Sequence, residues 1–247
     1  MNRQPLTPPA HCTFEPQDWL RLAKCWHPVA RSADIGPQPV KATLLDEKLV
    51  IYRLHERVVV ARDVCPHRGV PLTLGFHDAE GIICPYHGLR FGEDGRCNRI
   101  PSSPNQPIPA KLNLTCYAAE EHYGLVWVCL DYDADNPPRL PTMPHWTDDG
   151  FQQLTCPAFE VNGFAGRQVE GFLDMAHFAW IHTDTFADAE NQQVPDYLPE
   201  ETENGFVVDY WSTVGNYPAS AGYRAPEGFQ WLRRFEMHLP FTATLTI

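Results

Sequence analysis

The sequence predicts an α+β protein in which an all-β first half is followed by a second half that combines strands with one helix. Three observations carry this prediction. Short β-branched and aromatic runs dominate residues 26–130, linker-like composition fills 131–149, and a proline-free segment with helical apolar spacing covers 166–182. Strand-length runs between turn residues are typical of a β unit, whereas apolar residues at every third or fourth position indicate a helix.

Four runs in the first half have the length and the β-branched or aromatic composition of strands. They cover residues 49–54, 58–61, 81–84 and 124–130. Asp94 and Gly95 stand between Phe91 and Arg96, and this dipeptide is typical of a tight turn. The first half is therefore predicted to be a compact all-β unit.

A change in composition marks the predicted boundary between two domains. Residues 131–149 contain Asp133-Ala134-Asp135-Asn136-Pro137-Pro138 and two further prolines, which is typical of a linker. The N-terminal residues are rich in proline and lack the apolar core of a signal peptide. We accordingly predict a tail at 1–19, a first domain at 20–145 and a second domain at 146–247.

The second domain combines strand-like runs with the best helix candidate of the chain. The strand-like runs include residues 151–161, 205–211 and 241–247. Residues 166–182 lack proline and place apolar side chains at helical spacing, which predicts a helix. The last run reaches the end of the sequence without a turn signal, so we expect the second domain to be incomplete at its C-terminus.

Composition and charge exclude several classes of protein. The 247 residues carry a formal net charge of -12, whereas a nucleic-acid-binding protein needs a basic surface. No stretch approaches the roughly 20 apolar residues needed to cross a bilayer, so no membrane association is expected. Without an export signal we expect a cytoplasmic protein whose scattered cysteines are buried thiols rather than disulfides. These are Cys12, Cys25, Cys97, Cys116, Cys129 and Cys156.

Two short segments each combine one cysteine with one histidine. They are Cys65-Pro66-His67 and Cys84-Pro85-Tyr86-His87, and their ligands suit either zinc or an iron–sulfur cluster. Structural zinc sites usually pair like ligands, as in Cys-x2–4-Cys. One thiolate and one imidazole in each segment favour a two-iron cluster in which the cysteines hold one iron and the histidines the other. Gly69 and Gly88, which follow the histidines, allow backbone amides to approach such a cluster.

A third group of candidate ligands lies in the predicted helix. His177 follows Asp174 by three residues, so the two side chains share a helix face and can form a hydrogen bond. His182 lies about 140° further around an ideal helix than His177. The two histidines can bind one metal only if the helix distorts or ends between them, and we predict a distortion at 178–181. Chemistry alone makes Asp174 a candidate third ligand of an iron site; the alternative is an amphipathic helix with ordinary polar histidines.

These motifs resemble those of one protein family. Cys65–Gly69 and Cys84–Gly88 resemble the signature of Rieske proteins, and residues 174–182 resemble the Asp-x-x-His-x4-His motif of Rieske non-haem iron oxygenases. The respiratory branch of Rieske proteins carries one more cysteine in each loop, and Val70 and Tyr86 take those places here. The resemblance is to the oxygenase (alpha) component. It implies an all-β Rieske domain followed by a helix-grip-like α+β catalytic domain.

The resemblance also implies two cofactors, a [2Fe-2S] cluster and a mononuclear Fe(2+) that His177 and His182 bind. It makes Asp174 not an iron ligand but an inter-subunit electron bridge, hydrogen-bonded to His177 and to His87 of a neighbouring subunit in a head-to-tail homotrimer. The family's carboxylate ligand comes later than this sequence extends, so we predict no third ligand in the chain. The aspartates after His182, none at the family position, are Asp184, Asp188, Asp196 and Asp209. The implied cluster ligands are Cys65, His67, Cys84 and His87.

As an activity, the resemblance implies an oxygenase that uses O2 and NAD(P)H-derived electrons from a reductase, with or without a ferredoxin. Its substrate would be a small aromatic acid, methyl ether or N-methyl compound, which it hydroxylates or demethylates. The alternatives are a Rieske electron-transfer protein without oxygenase activity and a zinc-stabilised binding module. Six aromatic residues are left open between pocket wall and core: Phe164, Phe172, Trp180, Phe186, Tyr210 and Trp211.

Overall fold

The computed structural model of the chain describes residues 6–183, 185–187, 189–212 and 226–247. These residues form three α-helices and fourteen strands. The chain divides into two compact units, with the division between Phe159 and Glu160. Strands dominate the first unit, and the second combines a sheet with helices, so the predicted α+β class is confirmed.

The first unit contains one helix and ten strands. The helix α1 spans Pro16–Leu22 and begins with a proline, whose missing N–H costs no hydrogen bond at this position. Gly95 has a φ of 78°, which agrees with the tight turn predicted at Asp94 and Gly95. Each of the four strand-like runs predicted for this half overlaps one strand of the structure. The strands are β1 (His27–Arg31), β2 (Val40–Leu44), β3 (Glu47–Leu54), β4 (Arg57–Arg62), β5 (Phe76–Asp78), β6 (Gly81–Ile83), β7 (Arg90–Phe91), β8 (Cys97–Arg99), β9 (Cys116–His122) and β10 (Leu125–Cys129).

Two antiparallel sheets build the first unit. One contains six strands in the order β1-β10-β9-β4-β3-β2, and the other contains four in the order β5-β6-β7-β8. Successive side chains of β3 point to opposite faces, so Val50 and Tyr52 enter one core while Leu49 and Ile51 enter another. The first of these cores reaches the two cysteine-containing loops. The loops are thus anchored in one of the two cores.

The proline-rich segment after β10 packs onto the first unit. Trp26 donates its Nε1–H to the carbonyl oxygen of Pro138 at 2.9 Å. The rings of Tyr123 and Trp146 contact each other edge to face, with their centroids 5.5 Å apart. These contacts explain why the compact unit extends past residue 145, where composition placed the boundary. The domain limits themselves stay a prediction.

Residues 151–161 form no strand, so the strand predicted there is wrong. Every residue of this segment is exposed, and Pro157 lacks the N–H that a paired strand donates. Despite its strand-like composition, this segment therefore pairs with no described strand. The expectation that the six scattered cysteines are buried is also wrong for most of them, because Cys97 and Cys129 are buried, three others are half-buried and Cys156 is exposed. Within the described residues no disulfide joins any of the eight cysteines.

The second unit contains two helices and a four-stranded antiparallel sheet. The strands lie in the order β11 (Glu200–Thr202), β12 (Gly205–Ser212), β13 (Trp231–His238) and β14 (Thr242–Thr246). β12 and β14 confirm the strands predicted at 205–211 and 241–247. Phe235 packs with Met175, Val208 and Tyr210 in a small core on one face of the sheet. The helices are α2 (Ala165–Leu173) and α3 (Phe178–Ile181). Among the described residues, no helix has the length and apolar character that crossing a membrane requires.

The predicted helix 166–182 is interrupted, but not where the sequence placed the distortion. α2 ends at Leu173, and residues 178–181, predicted to be distorted, form the helical turn α3. The interruption lies at Asp174, whose ψ of 124° is extended. Its Oδ1 accepts the N–H of Ala176 at 2.9 Å. A short acidic side chain that binds nearby backbone competes with helical hydrogen bonding, which explains the break.

Candidate metal centres

Two loops of the first unit have the same backbone hydrogen-bonding pattern. One begins at Cys65 after β4, and the other begins at Cys84 after β6. In each loop the cysteine N–H donates to the carbonyl oxygen five residues later, at 2.8 and 2.9 Å. The cysteine carbonyl oxygen accepts the N–H of the glycine four residues later, at 2.9 and 3.0 Å. The sequence similarity of the loops therefore corresponds to two matching turns.

Glycine is required in both turns. Gly69 has a φ of 75° and Gly88 a φ of 68°, a left-handed conformation that costs little only for glycine. A side chain at Gly88 would also approach Cγ of Pro101 at 3.0 Å, whereas space beside Gly69 is open. The left-handed glycine lies two residues after the histidine in the first turn and directly after it in the second. The turns thereby keep each histidine close to its cysteine.

The four side chains of the loops divide into a buried sulfur pair and an exposed nitrogen pair. Cys65 and Cys84 are buried, and His67 and His87 are exposed with their ring centroids 4.7 Å apart. Burial, followed by the neighbouring Cys84 thiol, raises the pKa of Cys65 to about 11. A bound cation would stabilise the thiolate form of Cys65. Two sulfur and two nitrogen donors on paired loops fit a cluster with cysteines on one iron and histidines on the other.

Neighbouring residues hold the first loop without being ligands. Asp63 is buried two residues before Cys65, and its carboxylate accepts the backbone N–H and the hydroxyl of Thr73 at 2.8 and 2.7 Å. Val70 packs against the core, and Tyr86 is exposed with its ring centroid 3.9 Å from that of His87. Because neither Val70 nor Tyr86 is a cysteine, no disulfide can join the loops at these positions.

A second group of candidate ligands surrounds the break between α2 and α3. Nδ1 of His177 lies 3.1 Å from Oδ2 of Asp174, so the hydrogen bond expected from their spacing is present. The N–H of Ala176, followed by His177, lowers the pKa of Asp174 below its ordinary value, against an opposing effect of partial burial. The carboxylate is therefore ionised at neutral pH. With Nδ1 engaged, Nε2 of His177 is the atom that can bind a metal.

The two histidines of this group lie close enough to share a metal. The ring centroids of His177 and His182 are 5.1 Å apart. Two imidazoles that bind one metal at about 2.1 Å, in roughly perpendicular directions, have their centroids about 5 Å apart. The α3 turn ends at Ile181, and the next residue, His182, has a φ of -112° and a ψ of 22°, which are not helical. In a continuous helix the two histidines would point about 140° apart. The short α3 and the irregular backbone at its ends bring their rings close together instead.

A cavity of about 730 Å³ opens beside these histidines. Its volume falls within the range of about 300–1,000 Å³ that is usual for small-molecule sites. The walls are mainly apolar and aromatic, with one arginine. The lining residues are Gln168, Gly171, Phe172, Asp174, His177, Phe178, His182, Phe186, Arg233, Phe235, Leu245 and Ile247.

Two family matches agree with the two groups of side chains. Residues 25–118 match the Rieske [2Fe-2S] domain, and residues 165–247 match the vanillate O-demethylase oxygenase C-terminal domain. The chain belongs to the Rieske non-haem iron oxygenases. Oxygenases of this family carry a [2Fe-2S] cluster and a catalytic non-haem iron, so the zinc alternative is wrong.

Two curated relatives share most of the described chain. Methylxanthine N1-demethylase NdmA of Pseudomonas putida is 36% identical over 212 residues, which cover 76% of this chain and 56% of the relative. The vanillate O-demethylase oxygenase subunit of a Pseudomonas species, strain HR199, is 29% identical over 193 residues, which cover 76% of this chain and 53% of the relative. The chain therefore spans about half the length of these curated relatives.

Solved structures show the same fold. Pseudomonas putida CBB5 NdmA with caffeine superposes with a TM-score of 0.82 at 29% identity, over 93% of this chain and 66% of that one. Dicamba monooxygenase bound to dicamba superposes with a TM-score of 0.75 at 22% identity, over 89% of this chain and 64% of that one. At this identity the second comparison supports the fold alone.

Within the residues that the structure describes, no group of three His, Cys, Asp or Glu side chains is arranged to hold a single metal ion, so no third ligand is found beside the two histidines. Asp209 lies on β12 and pairs with Arg234 at 2.8 Å. Asp184 and Asp188 lie outside the described residues. The absence of a third ligand from the chain therefore stays a prediction.

The cavity wall contains residues that sequence analysis did and did not identify. Of the six aromatic candidates, Phe172 and Phe186 line the cavity. Tyr210 is buried in the core instead, and the other three are exposed. Arg233, which the sequence analysis missed, is buried on the cavity wall. Arg233 alternates with Phe235 along β13, and this spacing could have identified it as a residue of the buried face. No sequence signal identifies the hydrogen bonds that Asp63 accepts from Thr73 in the first unit.

Proposed function

We propose that this chain is the oxygenase component of a multicomponent Rieske system. In this proposal it uses O2, and electrons from a reductase with or without a ferredoxin, to hydroxylate or demethylate a small aromatic compound. One observation carries the proposal: His177 and His182 form part of the wall of a cavity of small-molecule size, in a chain that also has the paired cysteine–histidine loops. An electron carrier needs the loops but has no use for such a cavity.

The proposed cofactor ligands follow from the geometry of the loops and the α2–α3 break. Cys65 and Cys84 hold one iron of the [2Fe-2S] cluster, and His67 and His87 hold the other. His177 and His182 hold the mononuclear Fe(2+). When bound, the cluster supplies single electrons and the mononuclear iron activates dioxygen. The remaining coordination positions are left to a ligand outside this sequence and to small molecules.

The proposed role of Asp174 is to position His177 and to connect subunits. Its carboxylate fixes the ring of His177 through Nδ1 and holds the corner of the backbone through Ala176. About half of the Asp174 side chain is exposed, with a relative exposure of 49%. It can therefore accept a second hydrogen bond from outside the unit. We propose that this donor is His87 of a neighbouring subunit, exposed at the surface of the Rieske domain, in a homotrimer.

The proposed substrate class follows from the apolar cavity together with the names of the relatives. Methylxanthine N1-demethylase, vanillate O-demethylase and the 3-chlorobenzoate-3,4-dioxygenase oxygenase subunit of Comamonas testosteroni are all named for small aromatic compounds. Phe172, Phe178 and Phe186 offer ring surfaces of matching chemistry. We further propose a cytoplasmic location, a Rieske domain at 20–145 and a catalytic domain at 146–247.

Metal analysis combined with oxygen uptake tests the proposed function. An oxygenase component should contain about three irons and two sulfides per chain, whereas an electron carrier should contain about two of each. The iron-loaded protein, supplied with a reductase and NADH, should consume O2 only when a suitable aromatic compound is added. Two irons per chain with no substrate-dependent uptake would favour the carrier. A colourless protein, even after anaerobic reconstitution, would exclude both.

A further inference from the structure

A glycine inside the helix α2 forms part of the cavity wall in the second unit. Gly171 lines the cavity, and so do Gln168 and Phe172. Residues three and four apart on a helix share a face, so a side chain at position 171 would point to the same side as that of Gln168. A Cβ placed on Gly171 would meet no atom of the described residues within 4 Å. The open space beside Gly171 therefore belongs to the cavity.

Neither the backbone nor the packing of the described residues explains a glycine at position 171. Gly171 lies within α2, whose right-handed conformation any L side chain can adopt. Apart from proline, glycine is the least favourable residue in the interior of a helix. Gly166, in the same helix, is different, because a Cβ there would approach the ring of Phe164 at 2.6 Å. Of the two glycines of α2, only Gly171 thus borders space that a ligand can fill.

The aromatic part of the cavity wall is held in place by ring contacts. Phe172 meets the buried ring of Phe235 edge to face, with the centroids 6.0 Å apart. The ring of Phe186 stacks on that of His182, with the centroids 4.5 Å apart. Closely packed side chains of this kind yield little to an added group. A side chain introduced at the glycine would therefore take space from a ligand rather than displace the wall.

We propose that Gly171 is a specificity-determining residue, and that the open space beside it receives the second ring of a fused two-ring aromatic substrate. The proposal rests on the proposed function, which places the substrate in this cavity, and adds to it the size of the ring system. One ring packs among the phenylalanines of the wall. A second ring fused to it buries further apolar surface against the bare backbone of α2, which increases the affinity.

The test compares two neutral ligands with the same polar groups and one or two rings, 4-methoxybenzamide and 6-methoxynaphthalene-2-carboxamide. Binding to the holoenzyme is measured by calorimetry without a reductase, so that no turnover occurs. The naphthalene compound should bind about tenfold more tightly than the benzene compound, because it buries more apolar surface. Equal affinities, a preference for the benzene compound, or no binding of either compound would overturn the proposal.

Two leucine variants assign the preference to one position. Gly171→Leu should lower the affinity for the naphthalene compound by about tenfold, a factor typical of overpacking, and that for the benzene compound by less than about threefold. Gly163→Leu is the matched control, since a Cβ there also meets no described atom within 4 Å and Gly163 is not among the described residues that line the cavity. It should change neither affinity. An equal loss for both compounds in Gly171→Leu, or a selective loss in Gly163→Leu, would contradict the proposal.

Urea denaturation of Gly171→Ala separates this role from a structural one. Alanine favours a helix more than glycine does and meets no described atom here, so the variant should unfold at a higher urea concentration than the wild type. A lower midpoint would show that packing requires the glycine, and the proposal would be wrong. If Gly171→Leu does not fold, Gly171→Ala should still weaken the preference for the naphthalene compound, and an unchanged preference serves as the contradicting result.

This outcome is separable from that of the proposed function. A protein without mononuclear iron whose preference for two rings is lost in Gly171→Leu would refute the oxygenase activity and support the role of Gly171. An iron-loaded protein that consumes O2 with aromatic compounds, and whose ring preference is the same in Gly171→Leu, would do the reverse.

Discussion

Asp174 holds His177 in two ways, through the ring and through the backbone. Its Oδ2 lies 3.1 Å from Nδ1 of His177, and its Oδ1 accepts the N–H of Ala176 at 2.9 Å. The first contact fixes the ring orientation and directs Nε2 away from the carboxylate. The second stops α2 and creates the corner on which His177 lies. Both the rotation and the position of a proposed iron ligand therefore depend on one side chain.

Replacing Asp174 with asparagine should slow product formation by about tenfold to a hundredfold, the usual effect of removing a group that orients a metal ligand. Both metals should remain bound, because the four cluster ligands and both iron histidines are unchanged. Oxygen uptake and iron content, measured on the same preparation, check this. Asp209→Asn is the control, since Asp209 pairs with Arg234 and does not line the cavity. Full turnover in Asp174→Asn would disprove the positioning role.

Replacing His182 with alanine should remove the mononuclear iron and leave the cluster intact. The cluster should be unaffected because its loops belong to the first unit, whereas His182 belongs to the second. Iron content should fall by about one per chain while the visible absorbance of the cluster persists. His122→Ala, an exposed histidine of the first unit, should change neither quantity. Loss of colour in His182→Ala would contradict the assignment of the two sites to separate groups of residues.

Alanine at the two loop glycines should destabilise the protein to different extents. Each substitution forces a left-handed conformation on a residue with a side chain, which costs about 1–2 kcal/mol. At Gly88 the new methyl also approaches Cγ of Pro101 at 3.0 Å, whereas at Gly69 no atom lies within 4 Å. Gly88→Ala should therefore lower the free energy of unfolding more than Gly69→Ala does. Urea denaturation of the holoenzyme measures both, and the reverse order would show that the backbone relaxes at Gly88.

The stability of the first unit should fall as the pH drops below about 6.5, the pKa of histidine in an unfolded chain. His27 is buried, and its Nε2–H donates to the carbonyl oxygen of Leu22 at 2.9 Å. Burial lowers the pKa of His27 more than this hydrogen bond raises it. The unfolded chain therefore takes up a proton at a pH where the folded protein does not, which favours unfolding.

Urea midpoints measured between pH 8 and pH 5.5 check the contribution of His27. The wild type should lose stability over this interval, and His27→Gln, which keeps a donor but does not titrate, should lose less. His122→Gln, at an exposed histidine, provides the matched control. Equal pH dependence in the wild type and His27→Gln would mean that other groups dominate the titration.

Much of the fold was predictable because the relevant signals are local. The runs that became β3, β4 and β10 are rich in β-branched residues that pack in the cores, so composition alone identified them. The candidate ligands were also identifiable, because each group lies within a few residues of sequence. The position of the break in the predicted helix could not be identified, because apolar spacing continues through Asp174. Only the hydrogen bond between Asp174 and the N–H of Ala176 marks the break.

Features that depend on distant pairing could not be predicted. The burial of Arg233 follows from the pairing of β13 with β12, where it lies opposite Tyr210. The packing of the linker on the first unit depends on Trp26 reaching Pro138, 112 residues later. The exposed segment 151–161 was wrongly predicted to be a strand for the same reason. A strand-like run that has no strand to pair with remains irregular, and the sequence does not show whether such a partner exists.

The corner between α2 and α3 also bears on the order in which the proposed iron site is assembled. Joining two ligands separated by so short a stretch of chain costs little conformational entropy, since this cost grows with the length of the loop that is closed. Asp174, His177 and His182 can therefore come together before the strands of the second unit have paired. Iron captured at this stage would act as a nucleus for the surrounding structure, rather than as a late addition to a finished cavity.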